Sequence, residues 1–354
     1  MRIYDLVAHR LVFFKMSPIF VLNETLIRFT RNGIMVLALV IPITAGMGLN
    51  FAISVGAICA QIGVLLVLDY QISGFSGLMT ALSVGLALSF IAGILIGLCL
   101  NKAKGSEMIA SMIIGFLATG MYQLIFMVGY GTVITPHNQE IVLSGGIGIR
   151  GTVDLARIRN IIDRWWLIRI GEIEVPLFMI LFVICLGLMI KYLMNTRLGQ
   201  QFRAVGMSEQ NAEMLGSDVN SIRLKAILFS TLIACVGQIV FIQNIGMMNV
   251  YTAHLNSDIF SCAAILAGGA SIRNARIRHA FIGILLFHSL FIVSPQAGQN
   301  IFRNAAFGEY FRSFAAYGTI AFALIYSSKN SDWHSADQHC KSHSSETYPP
   351  PIHH

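Results

Sequence analysis

Apolar residues fill this chain in long blocks, and most charged positions fall in the short stretches between them. From Arg31 to Asp69 there is no charged residue at all. A helical run of about 18 apolar residues is long enough to cross a hydrocarbon core about 30 Å thick, so each block reads as a crossing. The pattern predicts spans over residues 33–48, 51–68, 75–100, 108–130, 175–190, 226–244, 259–270, 280–293 and 314–326. The second of these is expected to be discontinuous. The stretch Gly46-Met-Gly-Leu-Asn50-Phe-Ala-Ile-Ser54-Val-Gly56 is rich in residues that interrupt helices or let backbones approach. The predicted fold class is therefore all-α: a polytopic transmembrane helical bundle of about 8–10 spans with one broken or re-entrant N-terminal segment.

The basic residues orient this bundle. Lys102 and Lys104, then Lys191, Arg197, Arg203, Arg223 and Lys225, then Arg273, Arg276 and Arg278 mark three short loops, predicted to face the cytoplasm together. The segment 132–174 then lies outside, its five arginines balanced by five acids. Arg2, Arg10, Lys15, Arg28 and Arg31 ask for a cytoplasmic N-terminal segment, residues 1–32, with no cleavable signal peptide. Three full crossings before Lys102 would contradict that start, so a re-entrant or doubly crossing segment near Asn50–Asp69 is expected. The remaining layout is a transmembrane domain over 33–327 with a cytoplasmic loop at 192–225, and a disordered polar tail over 328–354.

Composition agrees: 55% of residues are hydrophobic, 12% are charged, and the mean hydropathy is +0.70. The net charge of +7 belongs to the orientation signal, so no nucleic-acid partner is inferred. Cys59, Cys99, Cys185, Cys235 and Cys262 lie in or beside apolar runs and give neither a disulfide framework nor a metal-ligand spacing. The tail holds five histidines and Cys340 without a closed zinc arrangement, so no metal site is assigned.

Uncharged polar groups at membrane depth must face the protein interior or a wet path. Asn50, Gln61, Gln123, Gln238, Gln243 and Asn244 form such a set, and Asn50, Gln123, Gln238, Gln243 and Asn244 are the candidate translocation-pathway residues. Ser89, Gly93 and Gly97 share a helical face suited to close packing. His254, Asp258 and His288 do not form a relay: the first two sit near a loop and the third is alone. Neither HExxH nor GxSxG occurs within a span, and no catalytic residue is assigned.

The most punctuated segment is Asn195 to Val219, in which Ser208 is a good N-cap and Gly216 is placed to end a short helix carrying Glu209 and Glu213. Thr196 to Arg223 resembles the coupling loop of permeases in the branched-chain amino acid and simple-sugar group of ABC importers, with the pattern TRxGxxxxAxGxxxxxAxxxGxxV. The run Ala263-Ala-Ile-Leu-Ala-Gly268-Gly269 and the Gly48-Leu-Asn50-Phe segment are similar to two further family features. The early acidic stretch common in sugar-type members lacks its Asp here, and Arg273, Arg276 and Arg278 stand where a glycine-rich turn is usual.

The resemblance implies a multi-pass permease subunit of an ATP-driven uptake transporter in a bacterial cytoplasmic membrane. Gly206, Glu209, Ala212, Glu213 and Gly216 would couple it to a separate ATPase chain, which would hold ATP and Mg; the chain has no GxxxxGK[ST] sequence and would bind no cofactor itself. A second permease copy or homologous permease, an extracytoplasmic solute-binding protein and the lipid bilayer complete the implied partners. The solute would be small and polar, a simple sugar or nucleoside in preference to a branched-chain amino acid. An ion-coupled secondary transporter or channel is the alternative class, although such proteins usually carry an intramembrane acid or histidine.

Overall fold

The computed structural model describes residues 17–304, 306–322, 324 and 325. Residues 1–16 and the His-rich tail lie outside the described residues. Helix α1 (Pro18–Ala38) runs through Leu39 into α2 (Val40–Thr44), and α3 (Ile53–Asp69), α4 (Gly74–Lys102) and α5 (Glu107–Leu124) follow. A π-helical turn, Ile125–Gly129, extends α5. After a long connection come α6 (Leu177–Asn195), α7 (Arg197–Met207), α8 (Glu209–Met214), α9 (Val219–Ile245), α10 (Ser257–Ala267) and α11 (Ile277–Phe302). Residues 306–322 are helical as well. Among the described residues, six helical stretches are long and apolar enough to cross a membrane: Pro18–Thr44, Gly74–Lys102, Glu107–Gly129, Leu177–Asn195, Val219–Ile245 and Ile277–Phe302. Two shorter apolar helices, α3 and α10, complete a helical membrane bundle in which, among the described residues, strands occur only as two small pairs.

The predicted break is present. Between α2 and α3 the chain leaves helical geometry, with Gly46 and Gly48 at positive φ. Asn50 closes the gap: its Oδ1 accepts from the Ala52 N–H at 3.0 Å, and its Nδ2 donates to Ser230 Oγ of α9 at 3.3 Å. Ser111 Oγ of α5 accepts the Phe51 N–H at 3.2 Å. These side chains supply what the interrupted ladder loses, as an apolar surround requires. The second irregular entry, before α10, is one the apolar run at 259–270 conceals. There α10 is only eleven residues long, and Asn256, in the left-handed region, turns the chain into it.

Residues 196–216 mark the basal end of the bundle, and residues 132–174 the apical end. Lys104 pairs with Glu209 and Glu213 at 3.7 Å each, and Thr44 Oγ1 donates to Ala275 O beside the contact between Thr44 and Gly206. All three basic loops therefore share the basal end. Helices α1–α2, α4, α6 and α10 run towards that end, and α3, α5, α9 and α11 run away from it.

This direction of travel corrects the reading of the N-terminal segment. Asn23 of α1 donates to Glu172 O at 3.0 Å and accepts from the Glu174 N–H at 2.9 Å, which puts the start of α1 beside the β2 (Leu167–Ile170) and β3 (Ile173–Pro176) hairpin. Residues 18–32 thus lie apically, opposite the basic loops, because three traverses separate Pro18 from Lys102. Their charges are accommodated locally: Glu24 pairs with Arg28 at 3.5 Å, and the Arg31 guanidinium lies over the Phe241 ring at 5.3 Å.

The neighbour pattern has an internal symmetry. Helix α4 packs on α3 and α9, while α11 packs on α10 and α1. Exchanging α1–α2 with α9, α3 with α10 and α4 with α11 preserves these adjacencies and reverses every direction, which is an inverted-topology relation. The small-residue face of α4 works as predicted: a Cβ on Gly93 would meet Leu228 at 3.0 Å, and one on Gly97 would meet Leu224 at 3.1 Å, both on α9.

The apical connection is tied to the bundle at several points. Strand β1 (Thr152–Asp154) pairs antiparallel with β4 (Met247–Asn249), just past α9. Asp69 accepts from the backbone N–H groups of His137 and Asn138 at 2.9 and 3.1 Å. Asp163 accepts from Gln243 Nε2 at 3.0 Å and Asn244 Nδ2 at 2.9 Å.

Burial pushes the Asp163 carboxyl above its usual range, and the amide hydrogen bonds from Asn244 and Gln243 only partly oppose this. A carboxyl whose folded-state pKa is raised stabilises the fold in its protonated form, and that contribution is lost as pH rises from about 4 through the folded value. Asp163→Asn, which keeps an acceptor oxygen without the charge, is expected to melt at a higher temperature than wild type at pH 7. The gap should close below about pH 4; thermal melts across that range check it.

Candidate functional site

At the basal end, α7 and α8 form a paired lever. Ser208 ends α7 and caps α8, its Oγ accepting the Asn211 N–H at 3.2 Å, and Gly216 ends α8 with φ +79°. The cap and the terminating glycine are those the sequence announces. The longer α7, with Gly199, Phe202 and Val205 turned into the protein, is an addition to that reading.

Two features join this lever to the bundle. The first is a backbone-to-backbone contact: a Cβ on Gly46 would stand 2.8 Å from Gly206 Cα, and the Gly206 Cα in turn faces Thr44 O. Only glycine at both positions allows the end of α7 to rest directly on the break between α2 and α3. The second is Arg223, near the start of α9 and fully buried. Its guanidinium bonds Glu107 at 2.5 Å and Glu209. One buried cation thus holds the beginnings of α5, α8 and α9 together. Lys104 adds an outer layer to the same acids.

The five residues singled out for coupling therefore divide. Gly206, Glu209 and Ala212 face the chain itself, Ala212 being buried. Glu213 and Gly216 are exposed. The outer surface of the lever instead carries three prominent apolar side chains: Met207 is 86% exposed, Met214 80% and Leu215 83%, among polar and charged neighbours. Sequence reasoning missed these three, although Met207 and Met214-Leu215 bracket α8 and stand off its buried Ala212 face.

The five pathway candidates do not converge on one lining. Asn50 holds the first break, as described above. Gln123 Nε2 donates to Tyr251 O at 3.1 Å and Gln238 Nε2 to Ala253 O at 3.1 Å, so both support the irregular segment entering α10. Gln243 and Asn244 hold Asp163 at the apical end. All five are committed to protein partners, and Gln243 is buried with only one of its amide atoms paired.

A different group meets at mid-depth. His254 Nδ1 lies 3.1 Å from Gln61 Oε1, and the Tyr122 ring meets the His254 ring edge-on at 5.3 Å between centroids. His254, Gln61 and Tyr122 are each no more than 2% exposed. Gln61 stood in the polar set from the sequence, and Tyr122 comes from α5. His254 was set aside because the loop carrying it reads as lying outside the bundle, whereas that loop dips inward. His288 remains apart, packed against Phe287 and Phe291. Among the described residues no cluster of His, Cys, Asp or Glu is suited to a metal ion.

Comparison with known proteins adds one positive finding: the family model described as branched-chain amino acid transport system, permease component, matches residues 21–325. No curated protein and no solved structure matches the chain. With its broken helices, its basal lever and a family match running almost from end to end of the bundle, the chain belongs to the branched-chain amino acid transport permease family, the membrane component of ABC transporters.

Proposed function

We propose that this chain is the permease subunit of an ABC uptake transporter, working with an ATPase subunit that binds the basal lever and carries the ATP and Mg. The observation that supports this most is the pairing of an outward apolar surface, Met207, Met214 and Leu215, with an inward connection through Gly206 and Arg223. A lever with only the first would dock and transmit nothing. One with only the second would have no place to receive force.

Motion of the ATPase would displace α7 and α8 as a unit, because α8 is bound to α5 and α9 through Arg223. The Gly206–Gly46 contact would pass that displacement to the break before α3, and Thr44, bonded to Ala275 O, to the turn after α10. Both irregular entries would then move together, which suits alternating access in an inverted repeat. The solute in this reading is small and polar, a simple sugar or nucleoside before a branched-chain amino acid. An extracytoplasmic binding protein would deliver it at the apical end, and a second permease would complete the path in a bacterial cytoplasmic membrane.

Purification of the chain from its native membrane is expected to bring an ATPase subunit with it. Met207→Asp combined with Leu215→Asp should abolish that recovery without changing the melting temperature of the chain, since both side chains are almost fully exposed. Retained recovery, or uptake driven by an ion gradient without ATP, would overturn the reading.

Arg223→Leu is expected to cost about 3 kcal/mol of stability by leaving two carboxylates without their shared partner. Adding Glu107→Gln and Glu209→Gln should restore most of it. Thermal melts of the single and triple variants check this.

A further inference from the structure

Gln61, Tyr122 and His254 are joined through the His254 ring, and each has a buried polar atom with no partner in the protein: Gln61 Nε2, Tyr122 Oη and His254 Nε2. Gln123 and Gln238, their neighbours, donate to Tyr251 O and Ala253 O. The cluster stands about 22 Å along α5 from Glu107, where α3, α5 and the segment leading into α10 meet. Unpartnered groups buried this deep are costly, and three linked through one histidine from three separate elements are not explained by packing.

Their chemistry is definite. An amide oxygen can only accept, so the bond to Gln61 Oε1 assigns the His254 proton to Nδ1 and leaves Nε2 as a lone-pair acceptor. Gln61 Nε2 offers N–H donors, and the Tyr122 hydroxyl donates or accepts. None of the three carries a formal charge in this arrangement. The nearby acid, Asp258, accepts the Ile259 N–H at 2.8 Å in the first turn of α10, so the positive end of that helix is already matched.

From this we infer that Gln61, Tyr122 and His254 form a solute-contact site inside the subunit for a neutral, hydroxyl-bearing molecule, of the pentose or nucleoside class. A hydroxyl group both donates and accepts, and so answers the donor, the acceptor and the amphoteric group together. An amino acid would bring an ammonium and a carboxylate to a place that offers no counter-charge to either. The inference rests on the permease reading above and adds to it a place, with residues that would favour such a solute.

The test uses the full chain in nanodiscs with D-ribose, adenosine and L-leucine as probes, read by thermal shift and by equilibrium binding of the labelled compounds. Ribose or adenosine is expected to raise the melting temperature and leucine to leave it unchanged. Tyr122→Phe keeps the ring and removes an unpartnered hydroxyl, so the unliganded melting temperature should hold or rise while binding weakens about tenfold. His254→Asn and Gln61→Leu should weaken binding similarly. No shift with ribose or adenosine, an equal shift with leucine, or unaltered binding in Tyr122→Phe would overturn the inference. ATP-dependent uptake into native-membrane vesicles separates the two readings: if it persists unaltered in Tyr122→Phe, the permease stands and the site falls, whereas wild-type uptake independent of ATP defeats the permease reading itself.

Discussion

A helix interrupted inside an apolar layer leaves backbone N–H and C=O groups that lipid cannot satisfy, and everything unusual in this bundle follows from meeting that demand twice. At the first break Asn50, Ser111 and Ser230 supply the missing bonds. At the second Gln123 and Gln238 bond the carbonyls of Tyr251 and Ala253. The polar side chains of the interior are mostly explained by this work, which is why their presence alone does not outline a path for solute.

The two breaks are also where the helices can move. A continuous helix transmits displacement as a rod, while a broken one can pivot at the interruption. The lever formed by α7 and α8 rests on the first break through Gly46 and Gly206, and Thr44 extends the connection to the turn after α10. Arg223 makes the lever stiff where it has to be stiff. Its burial is tolerable because Glu107 and Glu209 bring compensating charge and hydrogen bonds to the same point.

Much of this was legible in the residues. Glu107 to Gly129 and Gly74 to Lys102 are predicted almost to their ends, because a lipid-facing helix announces itself by length and apolarity. Ser208 and Gly216 mark α8 because capping is a local interaction between a side chain and the next turn. The direction of α1 was not legible: Arg28 and Arg31 follow the positive-inside pattern in composition, yet pairing with Glu24 and stacking on Phe241 allow them to sit at the apical end. The loop before α10 was misplaced for a similar reason, since Tyr251, Ala253 and His254 read as loop residues until Gln123, Gln238 and Gln61, distant in sequence, are brought against them.

The sequence by itself determined the solvent, most of the long helices, the first break and α8 with its cap. These depend on hydrophobic length and on bonds between residues a few positions apart. Only the tertiary structure decided that Glu209 belongs to Arg223, that Gly46 and Gly206 touch, and that Gln61, Tyr122 and His254 meet. Each of these joins groups from helices distant along the chain, and their proximity is set by how the helices pack around one another, which no local pattern of residues records.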